Sequence, residues 1–198
     1  MGHSQSADDL NLGFGWVYYG LARAYRPLHV VCIGSYRGFV PMMFARALRD
    51  NGGGGHVTFI DPSFVDDFWK TPSQVVDWFA RYDVPNIQHL QTTTQDFRAS
   101  GLLAALPPVD FLFVDGYHSA DQARFDHETF MPHLTDGALV FFHDSVTRRV
   151  SKIYGADRDY AYSVCDYIST LKSRADMQVI DFPLEDGLTL VRQTTAAG

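Results

Sequence analysis

Short runs of apolar residues alternate along this chain with amphipathic segments of helical periodicity. The apolar runs predict strands at 28–35, 56–62, 86–91, 110–116 and 137–144. The segments between and after them predict helices at 39–50, 73–83, 94–106, 119–134 and 159–173. Because strands and helices alternate, the pattern predicts an α/β sheet that is covered by helices on both faces.

Two further apolar runs, 177–183 and 187–193, close the pattern and are joined by the short turn LEDG. A turn of this length cannot cross over a sheet, so these two strands are expected to pair antiparallel. The prediction is therefore a doubly wound sheet of seven strands, mostly parallel, with an antiparallel C-terminal hairpin strand. Residues 9–26 predict an aromatic-rich helix ahead of the sheet, and its Trp16, Tyr18 and Tyr19 are interpreted as packing residues.

The length of 198 residues is typical of one domain, 1–198, with an N-terminal helical extension, 1–27, and a core, 28–192. A net charge of −7 disfavours nucleic-acid binding, which usually needs a basic face. Neither a membrane-length apolar run nor a secretory signal is visible, so we expect a cytoplasmic protein without a membrane partner. Cys32 and Cys165 lack metal-ligand spacing and are predicted to be free, buried thiols.

A glycine-containing turn, GSYRG, follows the first strand and precedes a helix. Gly34 and Gly38 would let the backbone approach a ligand, although such a turn also serves simple packing of a helix on a sheet. Asp61 ends the second strand, where a carboxylate can accept both hydroxyls of a ribose, although Asp before Pro is also a common turn starter. Together they favour nucleoside binding. Tyr36 stands where a dinucleotide-binding loop has its middle glycine, which favours a nucleoside without phosphates over NAD.

Polar side chains follow the fourth and fifth predicted strands, with Asp115 after one and His143 and Asp144 after the other. Neighbouring parallel strands would bring these three side chains to one edge of the sheet, where a divalent cation could compensate their charge. A histidine ligand would shift preference from Mg²⁺ towards Mn²⁺ or a transition metal. Alternatively, His143 is a neutral imidazole bonded to backbone and Asp144 is a helix N-cap.

His118 follows Asp115 by three residues and is the candidate general base, because an imidazole titrates near neutral pH. Its alternative role is a residue of the first helical turn. Asp126 lies two helical turns further on and is interpreted as a solvated carboxylate, with orientation of a ligand as the alternative. Arg148 and Arg149 are interpreted as a solvated charge run, with binding of an anionic substrate as the alternative.

These motifs together resemble the class I S-adenosylmethionine-dependent methyltransferases over roughly residues 28–192. The resemblance is carried by VVCIGSYRGFV, FIDPS, FLFVDGYHSADQARFDHE and LTDGALVFFHDS. It is strongest to the small-molecule O-methyltransferase branch with a DGxH…HD signature, methyltransferase family 24. The resemblance implies a Rossmann-like fold, with the antiparallel strand as a family feature, and transfer of a methyl group to a small-molecule hydroxyl.

The resemblance also implies roles for individual positions. Gly34, Ser35 and Gly38 would line the amino-acid end of the S-adenosylmethionine cofactor, Asp61 would hold its ribose, and Thr93 and Thr94 would lie near its adenine. Metal-dependent members bind a divalent ion, Mg²⁺ or Mn²⁺, at the positions of Asp115, His143 and Asp144. A histidine at the place of His118 is the base in some relatives, and Asp115 would anchor metal, cofactor or substrate.

Two departures from the family pattern concern Cys32 and His143, since both positions are usually acidic. They leave a non-catalytic ligand-binding domain of the same fold open as an alternative, and the glycine turn leaves a nicotinamide-dependent oxidoreductase open as another. No motif identifies the methyl acceptor, which a catechol, a sugar hydroxyl or another small metabolite would all fit. Association of copies through the N-terminal helix could close an otherwise open pocket.

Overall fold

A computed structural model describes residues 3–153 and 155–194. Its strands are β1 (His29–Ile33), β2 (His56–Ile60), β3 (Ile87–Leu90), β4 (Val109–Val114), β5 (Leu134–His143), β6 (Arg149–Ser151), β7 (Tyr160–Tyr162), β8 (Met177–Phe182) and β9 (Leu188–Gln193). Its α-helices are α1 (Gly15–Tyr25), α2 (Phe39–Asp50), α3 (Pro72–Arg81), α4 (Thr94–Ala99), α5 (Ala120–Phe130) and α6 (Val164–Lys172).

Seven strands form the main sheet in the order β3-β2-β1-β4-β5-β9-β8. The pairs among β1 to β5 are parallel, whereas β9 is antiparallel to both β5 and β8. This arrangement confirms the predicted mostly parallel α/β sheet with its antiparallel C-terminal strand. Strands β6 and β7 form a separate two-stranded hairpin that the sequence pattern did not predict.

The central strands are continuous apolar runs because helices cover both faces of the sheet. Along β4, Phe111 and Phe113 pack in one core cluster, whereas Leu112 and Val114 pack in the other. Successive side chains of a strand point to opposite faces, so one apolar run supplies both layers. Tyr18 of α1 lies in the first cluster, and the predicted N-terminal extension therefore packs on the core. Residues 1–2, 154 and 195–198 of the predicted domain lie outside the described residues.

Several predicted element boundaries were wrong. The predicted helix 119–134 ends at Phe130, because Pro132 cannot continue the hydrogen-bond ladder, and β5 already begins at Leu134. The predicted helix 94–106 ends at Ala99, because Gly101 adopts a left-handed φ of 79°. The predicted N-terminal helix begins only at Gly15. The predicted helix 159–173 begins at Val164, because the residues before it form β7.

The two cysteines are free but differ in environment. Cys32 is buried in β1, as predicted, whereas Cys165 on α6 is only partly buried. In the part of the chain that the structure covers, no helix combines the length and the apolar character required to cross a membrane.

Candidate active site

The register of the parallel strands brings four residues at the carboxyl ends of the strands into one row. Ile33 lies beside Ile60 of β2 and beside Val114 of β4, which in turn lies beside Phe142 of β5. The next residue of each strand or loop is Gly34, Asp61, Asp115 and His143. Ligands of open parallel sheets bind beyond the carboxyl ends of the strands, so this row marks the candidate site.

A cavity of about 480 Å³ opens beside three residues of this row, Gly34, Asp61 and Asp115. Its wall includes most of the residues that were predicted to bind the cofactor or to act in catalysis: Gly34, Ser35, Asp61, Thr93, Thr94, Asp115 and His118. Gly38 is not among the lining residues. It is the N-cap residue of α2, and an added Cβ there would lie 3.1 Å from both Trp69 and Phe79, so Gly38 packs against aromatic side chains.

The glycine turn after β1 is fixed by close packing and by two tryptophans. Gly34 has a φ of 70°, and a Cβ there would lie 2.3 Å from the carbonyl oxygen of Asp115. The indole Nε1 of Trp69 donates to the carbonyl of Tyr36 at 2.8 Å, and Nε1 of Trp78 donates to that of Arg37 at 3.0 Å. These contacts fix the conformation of the turn beside the cavity.

Asp61 presents a partly buried carboxyl group to the cavity. Its Oδ1 accepts a hydrogen bond from the backbone N–H of Ser63 at 2.7 Å. Burial raises the pKa of Asp61 to about 6 despite this hydrogen bond, since desolvation disfavours the charged form. A carboxylate of this kind gains from ligand hydroxyls that donate to it.

The start of α4 also lines the cavity and is connected to α5 by hydrogen bonds between side chains. Thr93 caps α4 by accepting from the N–H of Asp96 at 3.0 Å. Gln95 donates to Gln122 at 2.7 Å, and Gln122 donates to Oδ1 of Asp126 at 2.8 Å. The interpretation of Asp126 as solvated was wrong, because the residue is 1% exposed and burial raises its pKa to about 6.

The three predicted metal ligands lie close together, and one of them, Asp115, lines the cavity, whereas His143 and Asp144 are not among its lining residues. Nδ1 of His143 is 3.0 Å from Oδ1 of Asp115 and 3.2 Å from Oδ1 of Asp144. Nδ1 of His118 is 3.5 Å from Oδ2 of Asp144 and 3.8 Å from Oδ1 of Asp115. The side chains of all four residues are at most 11% exposed. His143 thus faces the carboxylates of Asp115 and Asp144.

Burial and mutual charge set the protonation of this cluster. Burial alone would raise the pKa of Asp115, but the imidazoles of His143, His118 and His3 hold it below its usual value. Burial raises the pKa of Asp144 and lowers the pKa of His118. An imidazole with a lowered pKa is neutral at physiological pH and can therefore accept a proton.

Residues of the unpredicted β6–β7 hairpin contact the same cluster. Tyr162 stacks on the ring of His118, with centroids 4.1 Å apart and planes 8° apart. Arg149 donates from Nη2 to Oδ2 of Asp144 at 2.9 Å, and its Nε is 2.7 Å from Oδ2 of Asp186. The interpretation of Arg149 as a solvated charge was therefore wrong, whereas exposed Arg148 pairs with Asp166 on the surface.

His3 also reaches the cluster, although no motif pointed to it. Its ring centroid lies 4.2 Å from that of His143, and its Nδ1 lies 3.3 Å from the hydroxyl of Tyr18. Burial lowers the pKa of His3 to about 3, with the neighbouring His143 lowering it further. A residue near the start of the chain gives no local signal of such a contact, since its position depends on long-range packing.

Comparison with known families decides the affiliation. The family model of methyltransferase family 24, described as a methyltransferase domain, matches residues 31–145, which is more than half of the chain. The chain belongs to this methyltransferase family. Membership confirms the resemblance found in the motifs, and the matched segment of the methyltransferase contains Asp61, Asp115 and the His143–Asp144 pair. No curated protein sequence matches the chain.

Solved structures of methyltransferases share the fold at low sequence identity. The O-methyltransferase TomG of Streptomyces achromogenes, involved in tomaymycin synthesis and solved with S-adenosylmethionine, is 19% identical at a TM-score of 0.67, covering 98% of this chain and 82% of TomG. An O-methyltransferase of Bacillus cereus, solved with S-adenosylhomocysteine, is 13% identical at a TM-score of 0.69. The match covers 98% of this chain and 84% of the Bacillus cereus enzyme. A putative O-methyltransferase of Klebsiella pneumoniae is 14% identical at 0.70, with the same coverage. At these identities the likeness establishes the fold.

Proposed function

We propose that this methyltransferase uses S-adenosylmethionine to methylate a hydroxyl group of a small molecule. The observation that carries the proposal is that one cavity is lined by two kinds of polar group: the carboxyl group of Asp61, and His118 together with Asp115. The first can hold a nucleoside, and the second can take a proton from an acceptor. The cofactors bound to the structural relatives TomG and the Bacillus cereus enzyme support the same assignment.

The cavity fits the cofactor in size and chemistry. Its volume of about 480 Å³ lies in the range of small-molecule sites. The carboxylate of Asp61 suits ribose hydroxyls, the turn at Gly34 and Ser35 would face the amino-acid end, and Thr93 and Thr94 would flank the adenine. When bound, S-adenosylmethionine supplies a methyl group attached to a positively charged sulfur.

The role of this chain is to hold the acceptor and remove its proton. Asp115 and Asp144 both face Nδ1 of His118, so they favour the tautomer with the proton on that nitrogen. The second ring nitrogen then accepts the proton of the acceptor hydroxyl, which makes the oxygen more nucleophilic. Tyr162 holds the plane of the ring through stacking. Alignment of the reacting atoms accounts for much of the remaining acceleration.

The donor atoms also fit a divalent cation. Nδ1 of His143 lies 3.0 Å from a carboxylate oxygen of Asp115 and 3.2 Å from one of Asp144, so an imidazole nitrogen and two carboxylates are available at this position. When bound there, a divalent ion supplies a positive charge that lowers the pKa of an acceptor hydroxyl. We propose the cation as an aid to His118 and not as its replacement.

Calorimetric titration with S-adenosylhomocysteine tests the cofactor assignment. The wild-type protein is expected to bind it, and Asp61→Asn is expected to weaken binding roughly tenfold or more, since a lost charge-assisted hydrogen bond costs about 1.5–3 kcal/mol. His118→Gln is expected to bind it like the wild type. Absence of binding in the wild type would overturn the proposal, and binding of NADH instead would favour the oxidoreductase alternative.

The acceptor is identified by incubation with S-adenosylmethionine and panels of catechols, phenols and sugars, followed by mass spectrometry of methylated products.

We also propose that residues 1–198 act as one cytoplasmic domain on a small molecule rather than on nucleic acid, in keeping with the net charge of −7. Association through α1, where Trp16 is 56% exposed, remains a prediction that light scattering tests.

A further inference from the structure

The segment before α1 is folded across the end of β5 in a defined conformation. The carbonyl of His3 accepts a hydrogen bond from the N–H of Phe14 at 2.8 Å, and Ser6 pairs with Asn11 in an antiparallel bridge. Gly13 has a φ of 52°, and a Cβ at this position would lie 1.9 Å from the carbonyl oxygen of His3. The path of the segment therefore depends on a glycine at 13, and this path puts the imidazole of His3 into the active-site cluster.

We propose that His3, Asp115 and His143 form a binding site for a divalent transition metal, with His3 as a ligand contributed by the N-terminal segment. One donor atom of each of these residues lies within 4.8 Å of the others. The His3 side chain is buried, at 8% exposed, and its ring is only 4.2 Å from that of His143. Two histidines and one carboxylate are a donor set that leaves further coordination positions for substrate or water.

Second contacts of these residues support ligation. Nδ1 of His3 lies next to the hydroxyl of Tyr18, at 3.3 Å. Metal-binding histidines commonly use one ring nitrogen for the ion and the other for a hydrogen bond that orients the ring. Tyr18 is itself fully buried among Phe44, Phe113 and Phe141, so this orienting group is rigid.

Asp144 is less suited than His3 to complete the set. Arg149 already donates to Oδ2 of Asp144 at 2.9 Å, and a guanidinium at this distance competes with a cation for the carboxylate. Nδ1 of His118 also faces that oxygen, at 3.5 Å. The site therefore differs from the predicted set of Asp115, His143 and Asp144 by exchanging one oxygen donor for a second nitrogen donor.

This exchange has a consequence for metal selection. Mg²⁺ prefers oxygen ligands, whereas imidazole nitrogens favour later transition metals such as Co²⁺, Ni²⁺ and Zn²⁺. A site with two imidazoles should therefore bind Co²⁺ much more tightly than Mg²⁺. The inference deepens the proposed function, because the ion would lie beside His118. It is tested by metal binding alone, so its failure is separable from a failure to bind S-adenosylhomocysteine.

The experiment is calorimetric titration of the metal-free protein with Co²⁺ and with Mg²⁺, together with the visible absorption spectrum of the Co²⁺ complex. The wild type is expected to bind Co²⁺ at least about 100-fold more tightly than Mg²⁺. His3→Ala is expected to weaken Co²⁺ binding by about tenfold or more and to change the spectrum, since a nitrogen ligand is lost. Gly13→Ala is expected to do the same, because it displaces the segment that carries His3.

His133→Ala is the matched control, since His133 precedes β5 and lies at the opposite end of that strand from His143. It is expected to keep the affinity and spectrum of the wild type. Wild-type affinity and spectrum in His3→Ala would show that His3 is not a ligand and would overturn the proposal. So would equal affinity of the wild type for Co²⁺ and Mg²⁺, or absence of Co²⁺ binding. Thermal unfolding checks that each variant is folded.

Discussion

At the scale of single residues, two residues of the candidate site have a backbone in the left-handed region. His118 has a φ of 48° and Asp144 a φ of 49°, and neither is a glycine. Non-glycine residues in this left-handed region cost on the order of 1 kcal/mol and persist where the surroundings hold them. Both lie at the proposed proton-transfer site, where the strained backbone directs their side chains toward each other.

The strain at His118 allows a test that separates function from stability. His118→Asn removes the imidazole but supplies a residue that tolerates a left-handed φ. We expect kcat to fall by roughly 10²–10⁴-fold, the range typical of a lost general base, while the free energy of unfolding stays constant or rises. Steady-state kinetics and denaturant unfolding measure the two quantities. His133→Asn should change neither, and undiminished kcat in His118→Asn would exclude His118 as the base.

The raised pKa of Asp61 predicts a pH dependence of cofactor binding. Ribose hydroxyls donate to the charged carboxylate, which is lost as pH falls through about 6 in the unliganded protein. Affinity for S-adenosylhomocysteine should therefore be full above this pH and decline below it. Titrations between about pH 5 and pH 8 measure the decline. Asp61→Asn should bind weakly and without this decline, whereas Asp126→Asn should retain it. A wild-type affinity that is independent of pH would contradict the assignment.

At the scale of elements, the short β6–β7 hairpin matters more for the site than its size suggests. It supplies both the ring that stacks on His118 and the guanidinium that pairs with Asp144. Arg149 also lies over the ring of Tyr162, 4.1 Å from its centroid. Through Tyr162 and Arg149 the hairpin thus links His118 to Asp144.

Removal of that stacking contact should affect turnover without affecting cofactor binding. In Tyr162→Leu, the His118 ring loses its flat support, and we expect kcat to fall by about 10- to 100-fold, since small misplacements of catalytic groups have effects of this size. Affinity for S-adenosylhomocysteine should stay at the wild-type value. Tyr162→Phe keeps the ring and should restore most of kcat. If the phenylalanine variant is as slow as the leucine variant, stacking is not the function of Tyr162.

The elements differ in how far the sequence predicts them, for physical reasons. β4 and β5 are buried on both faces toward their ends, so each leaves an apolar run that ends visibly at a polar residue, Asp115 or His143. β6 and β7 have three residues each, too few for any periodicity, and were missed together with Tyr162. The burial of Asp126 had a signal, because Ala123 and Phe130 occupy the same face of α5 at helical spacing. His3 had none.

At the scale of the whole molecule, two buried carboxyl groups of the cavity lower the stability of the folded protein in a way that depends on pH. Asp61 and Asp126 both line the cavity, and burial raises the pKa of each to about 6. These two carboxyl groups therefore bind more protons in the folded protein than in the unfolded chain between about pH 4 and pH 6, because an unfolded carboxyl group titrates near pH 4. Their contribution to the free energy of unfolding falls as pH rises through this window and stays low above it.

Substitution of Asp126 tests this cost away from the proposed proton transfer. Asp126→Asn removes the buried charge and keeps the shape that Gln122 and Thr94 contact. A pKa raised by about two corresponds to roughly 3 kcal/mol, so the variant should be more stable than the wild type by up to about this amount near pH 8 and equally stable near pH 4. Denaturant unfolding without ligand at several pH values measures the difference. Asp121→Asn, on the exposed side of the same helix, should follow the wild-type profile. A gain in Asp126→Asn that is the same at both pH values would show that packing, rather than the buried charge, sets the cost.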